Sequence, residues 1–267
     1  PVMPEPMHFI AIEDFGTRGL DGDISQDRDI PSQSKKNNFY YFWRNVGRSS
    51  KSNTDRGRWG LGKVVYPASS KVSAFLGLTV RQQDGRRLLM GQSVLKVHEI
   101  GTSRYCPYPF FGVAGPDAFS MPVEDPAFLD RFAQDFALAR ETEPGLSIVI
   151  PHARVDEITP SDVVRAVIRN YFYPILAGLL VVEVHDASGT TVLDSSSLRA
   201  VAQKVTWKPK TTTAEELTRL FDLAAWAIGV PESGCIRLPE QQRGAPAWSE
   251  ASLAGVDVKT LRTRFEA

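Results

Sequence analysis

Apolar positions in the first part of the chain fall into short runs that are separated by polar segments. Residues 7–12 (MHFIAI) form an apolar run rich in strand-forming residues, which predicts a buried strand. Five consecutive aromatic residues at positions 39–43 predict a buried helix. A glycine-rich stretch then leads into residues 63–74, where the pattern predicts a helix.

A hairpin, a helix and a further strand are predicted next. Two apolar runs, residues 75–81 and 87–95, flank Asp84-Gly85, and Asp-Gly between such runs is a strong hairpin signal. A helix is predicted from about Asp125, and we expect four of its apolar side chains in the core: Phe128, Phe132, Phe136 and Leu138. Residues 145–151 begin with glycine, end with proline and predict a buried strand.

The composition changes after His152, and the pattern that follows predicts a second domain. Thr159-Pro160-Ser161-Asp162 is a typical helix start, and this helix continues to about Ile175. The remaining expectations are strands over 179–185 and 190–193, a helix from Thr213 to about Gly229, and a last helix over 256–265. We therefore predict two domains, residues 1–155 and residues 156–267, the second being a smaller α+β domain.

Composition and charge exclude several classes of protein. The chain has 267 residues, 42% of them hydrophobic and 23% charged, which is typical of a soluble globular protein. Its net charge is zero, so no global field draws it to nucleic acid or to a membrane. Two cysteines, Cys106 and Cys235, suggest no disulfide framework, and the apolar run 173–184 is too short to span a bilayer. We expect a cytoplasmic location and no membrane partner.

A glycine-rich loop carries the first candidate chemistry, and its sequence is Gly57-Arg58-Trp59-Gly60-Leu61-Gly62-Lys63. Glycines let successive backbone N–H groups approach one ligand, and such groups form an anion nest for which phosphate is the expected guest. The alternative is a tight glycine turn before a helix. The preceding basic, serine-rich segment 44–58 predicts a lid over this loop, the alternative being an ordinary surface loop.

A second candidate lies where the first strand ends. Glu13 and Asp14 follow the apolar run, and Gly16 and Gly19 come directly after them. An acid at the end of a strand is held rigidly at a pocket edge, and the glycines keep the pocket floor clear. The alternative is a strand-to-turn transition in which Asp14 caps its own turn.

These motifs occur in an order that resembles the GHKL ATPases, which include gyrase, histidine kinases, heat-shock chaperones and mismatch-repair proteins. The resemblance covers roughly residues 7–152. It implies an α/β two-layer sandwich, the Bergerat fold, with a mixed sheet on one side and helices on the other. It also implies ATP and Mg²⁺ as cofactors, and a transducer-like domain after His152.

The resemblance assigns roles to individual residues. Asp14 matches the aspartate that accepts a hydrogen bond from the adenine amino group, and Gly16 and Gly19 match the glycines beneath adenine and ribose, although Gly19 comes one residue later than in the family pattern. Ser147, within Gly145-x-Ser147, matches a Gly-Thr strand that supports the aspartate through a water. The phosphate loop matches Gly57, Gly60, Leu61 and Gly62, and Lys63 matches a lysine near the terminal phosphate.

One family element has no counterpart in these 267 residues. It is a helix before the first motif, which carries a glutamate that activates water and an asparagine that holds Mg²⁺. Because the chain starts Pro-Val-Met-Pro-Glu-Pro, we expect that helix upstream in a longer protein. No catalytic residue and no metal ligand is therefore assigned, and Lys204, Lys208 and Lys210 are candidates for the γ-phosphate by position alone.

The sequence thus predicts the ATP-binding domain of a GHKL-type ATPase, in which ATP binding and slow hydrolysis drive conformational change or dimerisation. The alternative is a degenerate Bergerat-fold module that binds a partner without turnover. A P-loop enzyme is disfavoured, since Val64 stands where that motif needs Ser or Thr. A homodimer, a larger complex and nucleic acid stay open as partners, although the net charge gives no support to nucleic acid.

Overall fold

Antiparallel strands and short helices make up most of the described chain. The computed structural model describes residues 7–30, 36–45, 62–207 and 213–231, together with Lys259 and Thr263. The chain divides into two compact units, Pro1–Glu157 and Ile158–Ala267, close to the boundary predicted between residues 155 and 156. The first unit contains the segments that are predicted to bind nucleotide.

The strands of the first unit are β1 Phe9–Glu13, β2 Ala74–Val80, β3 Arg87–Ser93, β4 His98–Ile100, β5 Ser103–Tyr105, β6 Phe110–Phe111, β7 Val113–Ala114, β8 Ser120–Met121 and β9 Gly145–Pro151. Its helices are α1 Asn38–Trp43, α2 Val65–Ala68 and α3 Pro126–Asp135, and short 3₁₀ turns cover Gly62–Val64 and Pro116–Ala118. Five strands form one sheet in the order β1-β9-β2-β3-β6. All four of its pairings are antiparallel, so the mixed sheet that the resemblance implies is wrong for the strands described.

Helices cover both faces of this sheet. Alternate residues of a strand point to opposite sides, so the same strands contribute side chains to both helix layers. On one face, Phe39 and Trp43 of α1 pack with Phe75, Met90 and Ile148. On the other face, Leu129 and Phe132 of α3 pack with residues from the same three strands, namely Leu78, Leu89 and Val149. The α/β class is confirmed, whereas a layer of helices on one side only is not what these residues form.

Several local predictions are confirmed. The hairpin joins β2 to β3 around Asp84-Gly85, with Val80 opposite Arg87. Asp125 is the N-cap of α3, where its carboxylate accepts a 2.7 Å hydrogen bond from the Phe128 backbone N–H. The aromatic run forms α1, whose buried residues are Phe39, Tyr40 and Trp43.

Three local expectations need correction. β1 is an edge strand of the sheet rather than a buried one, and Ile12 is 48% exposed. Phe128 is 46% exposed and does not belong to the core. The helix predicted over 63–74 ends at Ala68, because the Ser70 hydroxyl and the Lys71 N–H bond to carbonyls at the end of β9 and just beyond it.

The second unit has its own core. Helix α4 Pro160–Leu176, hairpin strands β10 Val182–Asp186 and β11 Gly189–Leu193, and helices α5 Leu198–Lys204 and α6 Ala214–Gly229 surround it. Ile168, Leu193 and Phe221 are among its buried residues. Helix α5 has no counterpart among the predicted elements, and the helix predicted over 256–265 lies outside the described residues except at Lys259 and Thr263. None of the helices in the described segments combines the length and the hydropathy needed to cross a membrane.

Candidate functional site

The carboxyl end of β1 carries two neighbouring acidic residues whose side chains have different partners. Glu13 accepts hydrogen bonds from the Ala139 N–H at 2.6 Å and from the Ser147 hydroxyl at 2.6 Å. Asp14 instead accepts through Oδ1 from the Leu146 N–H at 2.6 Å and from the Thr17 hydroxyl at 3.0 Å. Because β1 pairs with β9, the two motifs at the end of β1 and the start of β9 lie side by side.

One carboxylate oxygen of Asp14 accepts no hydrogen bond from the described residues. The Asp14 side chain is 50% exposed, and each hydrogen bond that it accepts from the described residues goes to Oδ1. Oδ2 therefore has an open lone pair, while Oδ1 fixes the orientation of the carboxylate. A rigid carboxylate with one open oxygen is a hydrogen-bond acceptor suited to an N–H donor.

A buried arginine hydrogen-bonds to residues at the end of β1 and at the start of β9. Arg140 follows α3, is 2% exposed, and donates from Nε to the Ser147 hydroxyl at 2.9 Å and from Nη1 to the Glu143 carbonyl at 2.9 Å. Its Nη2 donates to the backbone carbonyls of Asp14 and Leu146 and lies 3.4 Å from Asp14 Oδ1. Burial lowers the pKa of Arg140, and the neighbouring carboxylates of Asp14, Glu13 and Glu143 oppose that shift.

Glycines permit the close approach of these segments. Gly145 has a φ of +151°, and a Cβ there would lie 2.5 Å from the Asp14 carbonyl oxygen and 2.6 Å from Asp14 Oδ1. Gly16 has a φ of +73° and open space where a Cβ would be. Gly19 has a φ of +67°, and a Cβ there would collide with the backbone of β2. Gly145 and Gly19 are thus fixed by packing, whereas only the left-handed φ favours glycine at position 16.

The described part of the glycine loop starts at Gly62, which is exposed in the 3₁₀ turn before α2. Lys63 is partly buried, donates from Nζ to the Phe42 carbonyl and lies 6.0 Å from the centre of the Phe42 ring. Burial lowers the pKa of Lys63 to about 8. Gly57, Gly60 and Leu61 lie outside the described residues, as does most of the segment predicted to be a lid.

The first residues after the glycine loop lie within electrostatic reach of the acid. Burial raises the pKa of Tyr66 in α2, and the negative charge of Asp14 adds to that rise. Asp14 and α2 are linked by this electrostatic effect. Ser147 lies beside the end of β1 in the sheet, and its hydroxyl bonds to Glu13 and Arg140 and not to the Asp14 carboxylate.

Arg140 is the residue that sequence reasoning missed. It is one of many arginines, it stands 126 positions after Asp14, and no motif surrounds it. Pairing of β1 with β9 brings the two residues together, and only the sheet order reveals this. The signal available in the sequence is a charged residue shortly before a strand that begins with glycine. That pattern is too common to single out Arg140.

The three lysines suggested for the γ-phosphate all belong to the second unit. Lys204 is exposed at the end of α5, and Lys208 and Lys210 lie outside the described residues. A cleft of about 370 Å³ opens beside Gly22 and the β2–β3 hairpin, and none of the predicted site residues lines it. Within the described ranges, no group of three or more His, Cys, Asp or Glu side chains could hold a metal ion.

Comparisons of this chain with protein-family models, with curated proteins and with solved structures found no match.

Proposed function

We propose that the chain is the ATP-binding part of a GHKL-type ATPase, in which a nucleotide-gated lid couples ATP binding and slow hydrolysis to conformational change or dimerisation. The observation that carries the proposal is the carboxylate of Asp14. Its Oδ1 is held by Leu146 and Thr17, and its Oδ2 accepts no hydrogen bond from the described residues. This arrangement suits the exocyclic amino group of adenine, which donates an N–H to a fixed acceptor.

Lys63 is the phosphate-binding residue in this proposal, together with the loop residues Gly57, Gly60, Leu61 and Gly62. A pKa of about 8 leaves Lys63 mainly protonated at neutral pH, so its ammonium can attract a phosphate. It would exchange the Phe42 carbonyl for a phosphate oxygen, which is a stronger acceptor because it is charged. Mg²⁺ would neutralise the phosphates, and the described residues assign no ligand to it.

A second candidate function is a degenerate module that binds a partner without turnover. The contacts of Asp14 with Arg140, Thr17 and Leu146 support it, because they would also serve to fasten β1 to β9 without any ligand. The two candidates differ in one measurable property, which is affinity for ATP.

Titration calorimetry with ATP and Mg²⁺ tests the proposal on the parent chain and on two variants. Asp14→Asn keeps the shape of the side chain and should weaken ATP binding about ten- to a hundredfold, because one buried donor or acceptor is left unpaired. Asp135→Asn is the matched control, since Asp135 is 51% exposed and, among the described residues, pairs with Arg131 on the surface of α3. It should bind ATP like the parent.

Two results would contradict the proposal in different ways. Absence of ATP binding by the parent chain would favour the partner-binding module. Equal affinity of the parent and Asp14→Asn, with both folded by circular dichroism, would remove Asp14 from the site.

A further inference from the structure

The guanidinium of Arg140 is buried where three segments of the first unit meet. Its donors reach the carbonyl of Asp14 at the end of β1, the carbonyl of Glu143 in the loop before β9, and the hydroxyl of Ser147 in β9. Its own backbone N–H donates to Glu13 at 3.2 Å. One side chain thus connects Asp14, the residue after β1, to β9, whose Leu146 N–H donates to Asp14.

A charged side chain is a costly way to fill this position. Removing a guanidinium from water is unfavourable unless its hydrogen bonds are replaced, and an apolar side chain of similar volume often packs as well. The side chain of Arg140 has no solvent exposure, and each of its nitrogens has a partner. The planar fork of arginine can hold several acceptors in fixed directions, which a lysine ammonium cannot do.

The guanidinium of Arg140 holds both Asp14 and Leu146, the residue of β9 that hydrogen-bonds to Asp14. Nη2 holds the Asp14 carbonyl and the Leu146 carbonyl together, and Leu146 is the residue whose N–H binds Asp14 Oδ1. The same guanidinium lies 4.7 Å from the centre of the Phe15 ring, which is 52% exposed. Arg140 therefore fixes both the backbone and the carboxylate plane at the point where Oδ2 is open.

We propose that Arg140 is a positioning residue that aims Asp14 Oδ2 at the ligand and thereby sets the preference for a nucleobase with an exocyclic amino group. This inference rests on the proposed function, since it assumes that Asp14 contacts the base. Arg140 touches no ligand in this account and acts through Asp14.

The test compares affinities for ATP and for inosine triphosphate, which carries a carbonyl oxygen where adenine carries the amino group. A fixed Oδ2 accepts from the amino group and repels the carbonyl oxygen, so the parent chain should prefer ATP by on the order of tenfold or more. Arg140→Lys keeps the charge and loses the fork, and should reduce that preference to about threefold or less. Arg140→Met should reduce it further.

The ratio of the affinities for ATP and for inosine triphosphate distinguishes a positioning role of Arg140 from a purely structural one. A purely structural role of Arg140 would weaken binding of both nucleotides by the same factor and leave the ratio unchanged. Arg131→Lys is the control, because Arg131 is 74% exposed on α3 and, in the part of the chain that the structure describes, pairs with Asp135. Its ratio should equal that of the parent.

A further variant covers the case in which Arg140 cannot be replaced without unfolding. Ser147→Ala removes the acceptor of Arg140 Nε and leaves the guanidinium in place, so the ratio should fall about two- to fivefold. An unchanged ratio in a folded Arg140→Lys chain, or in Ser147→Ala if the former does not fold, overturns the inference. Failure of the parent chain to bind either nucleotide instead overturns the proposed function on which the inference rests.

Discussion

Two partly or fully buried cations in the first unit differ in how their charge is compensated. Arg140 lies among the carboxylates of Glu13, Asp14 and Glu143, which oppose the effect of burial on its pKa. Lys63 has the Phe42 carbonyl as its hydrogen-bond acceptor, and burial alone lowers its pKa to about 8. Among the described residues, carboxylates offset the burial of Arg140, whereas no carboxylate offsets that of Lys63.

The pKa of Lys63 predicts a pH-dependent stability. The folded-state pKa of about 8 lies below the ordinary value of 10.5, so the unfolded chain binds this proton more tightly. Lys63 therefore favours folding above pH 10.5, and that contribution is lost as the pH falls towards 8. As the pH rises between these limits, the free energy of unfolding of the parent should rise relative to Lys63→Met, by at most about 1.4 kcal/mol per pH unit.

Urea denaturation of the parent and of Lys63→Met at pH 7, 8, 9 and 10 measures this difference. The difference should be constant below about pH 8 and should change above it. Parallel stability curves over the whole range would show that Lys63 keeps its ordinary pKa in the folded chain.

Among the secondary-structure elements, α6 shows how strongly a helix start can be specified by its first residues. The Thr213 hydroxyl accepts from the Glu216 N–H at 3.2 Å, and the Glu216 carboxylate accepts from the Thr213 N–H at 2.8 Å. This reciprocal pair is a capping box, which satisfies two N–H groups that a helix leaves unpaired. Leu217, Phe221 and Ala224 then bury one face of the helix.

Thr213→Ala should lower the free energy of unfolding by about 1 kcal/mol, because the cap is lost while the apolar face is kept. Thr218→Ala on the same helix is the matched control, since its hydroxyl bonds to the Ala214 carbonyl one turn earlier. That change should stay within about 0.5 kcal/mol. Equal effects of the two substitutions in thermal denaturation would contradict the role of the cap.

At the scale of the whole molecule, the two units have separate hydrophobic cores. The clusters on the two faces of the five-stranded sheet contain residues of the first unit, and the cluster around Ile168 and Phe221 contains residues of the second. Since packing within each core supplies most of the stability of its own elements, damage to one core should stay local.

Phe221→Ala tests this independence. Phe221 is 2% exposed, and loss of a buried phenylalanine costs about 3–5 kcal/mol. Hydrogen exchange should rise in α4, α5 and α6, whereas β2 and β9 should keep their protection. Phe75→Ala in the first unit should give the converse pattern. Loss of protection in β2 and β9 upon Phe221→Ala would mean that the two units unfold together.

Local sequence determined the elements whose ends depend on neighbouring residues. Asp-Gly at 84–85 predicted the β2–β3 hairpin, and Asp125, Thr159 and Thr213 predicted helix starts that the structure has, because a turn or a cap involves residues only a few positions apart. The position of Asp14 at the end of a strand followed from the same kind of signal.

Tertiary structure alone decided which of these elements meet. The sheet order places β9 between β1 and β2, so Gly145 and Leu146 lie against Asp14, and Arg140 enters the site from 126 positions away. Tertiary contacts also make β1 an edge strand and end α2 at Ala68. Strand pairing and burial depend on contacts between distant segments, and their free energy is not contained in the pattern of any one segment.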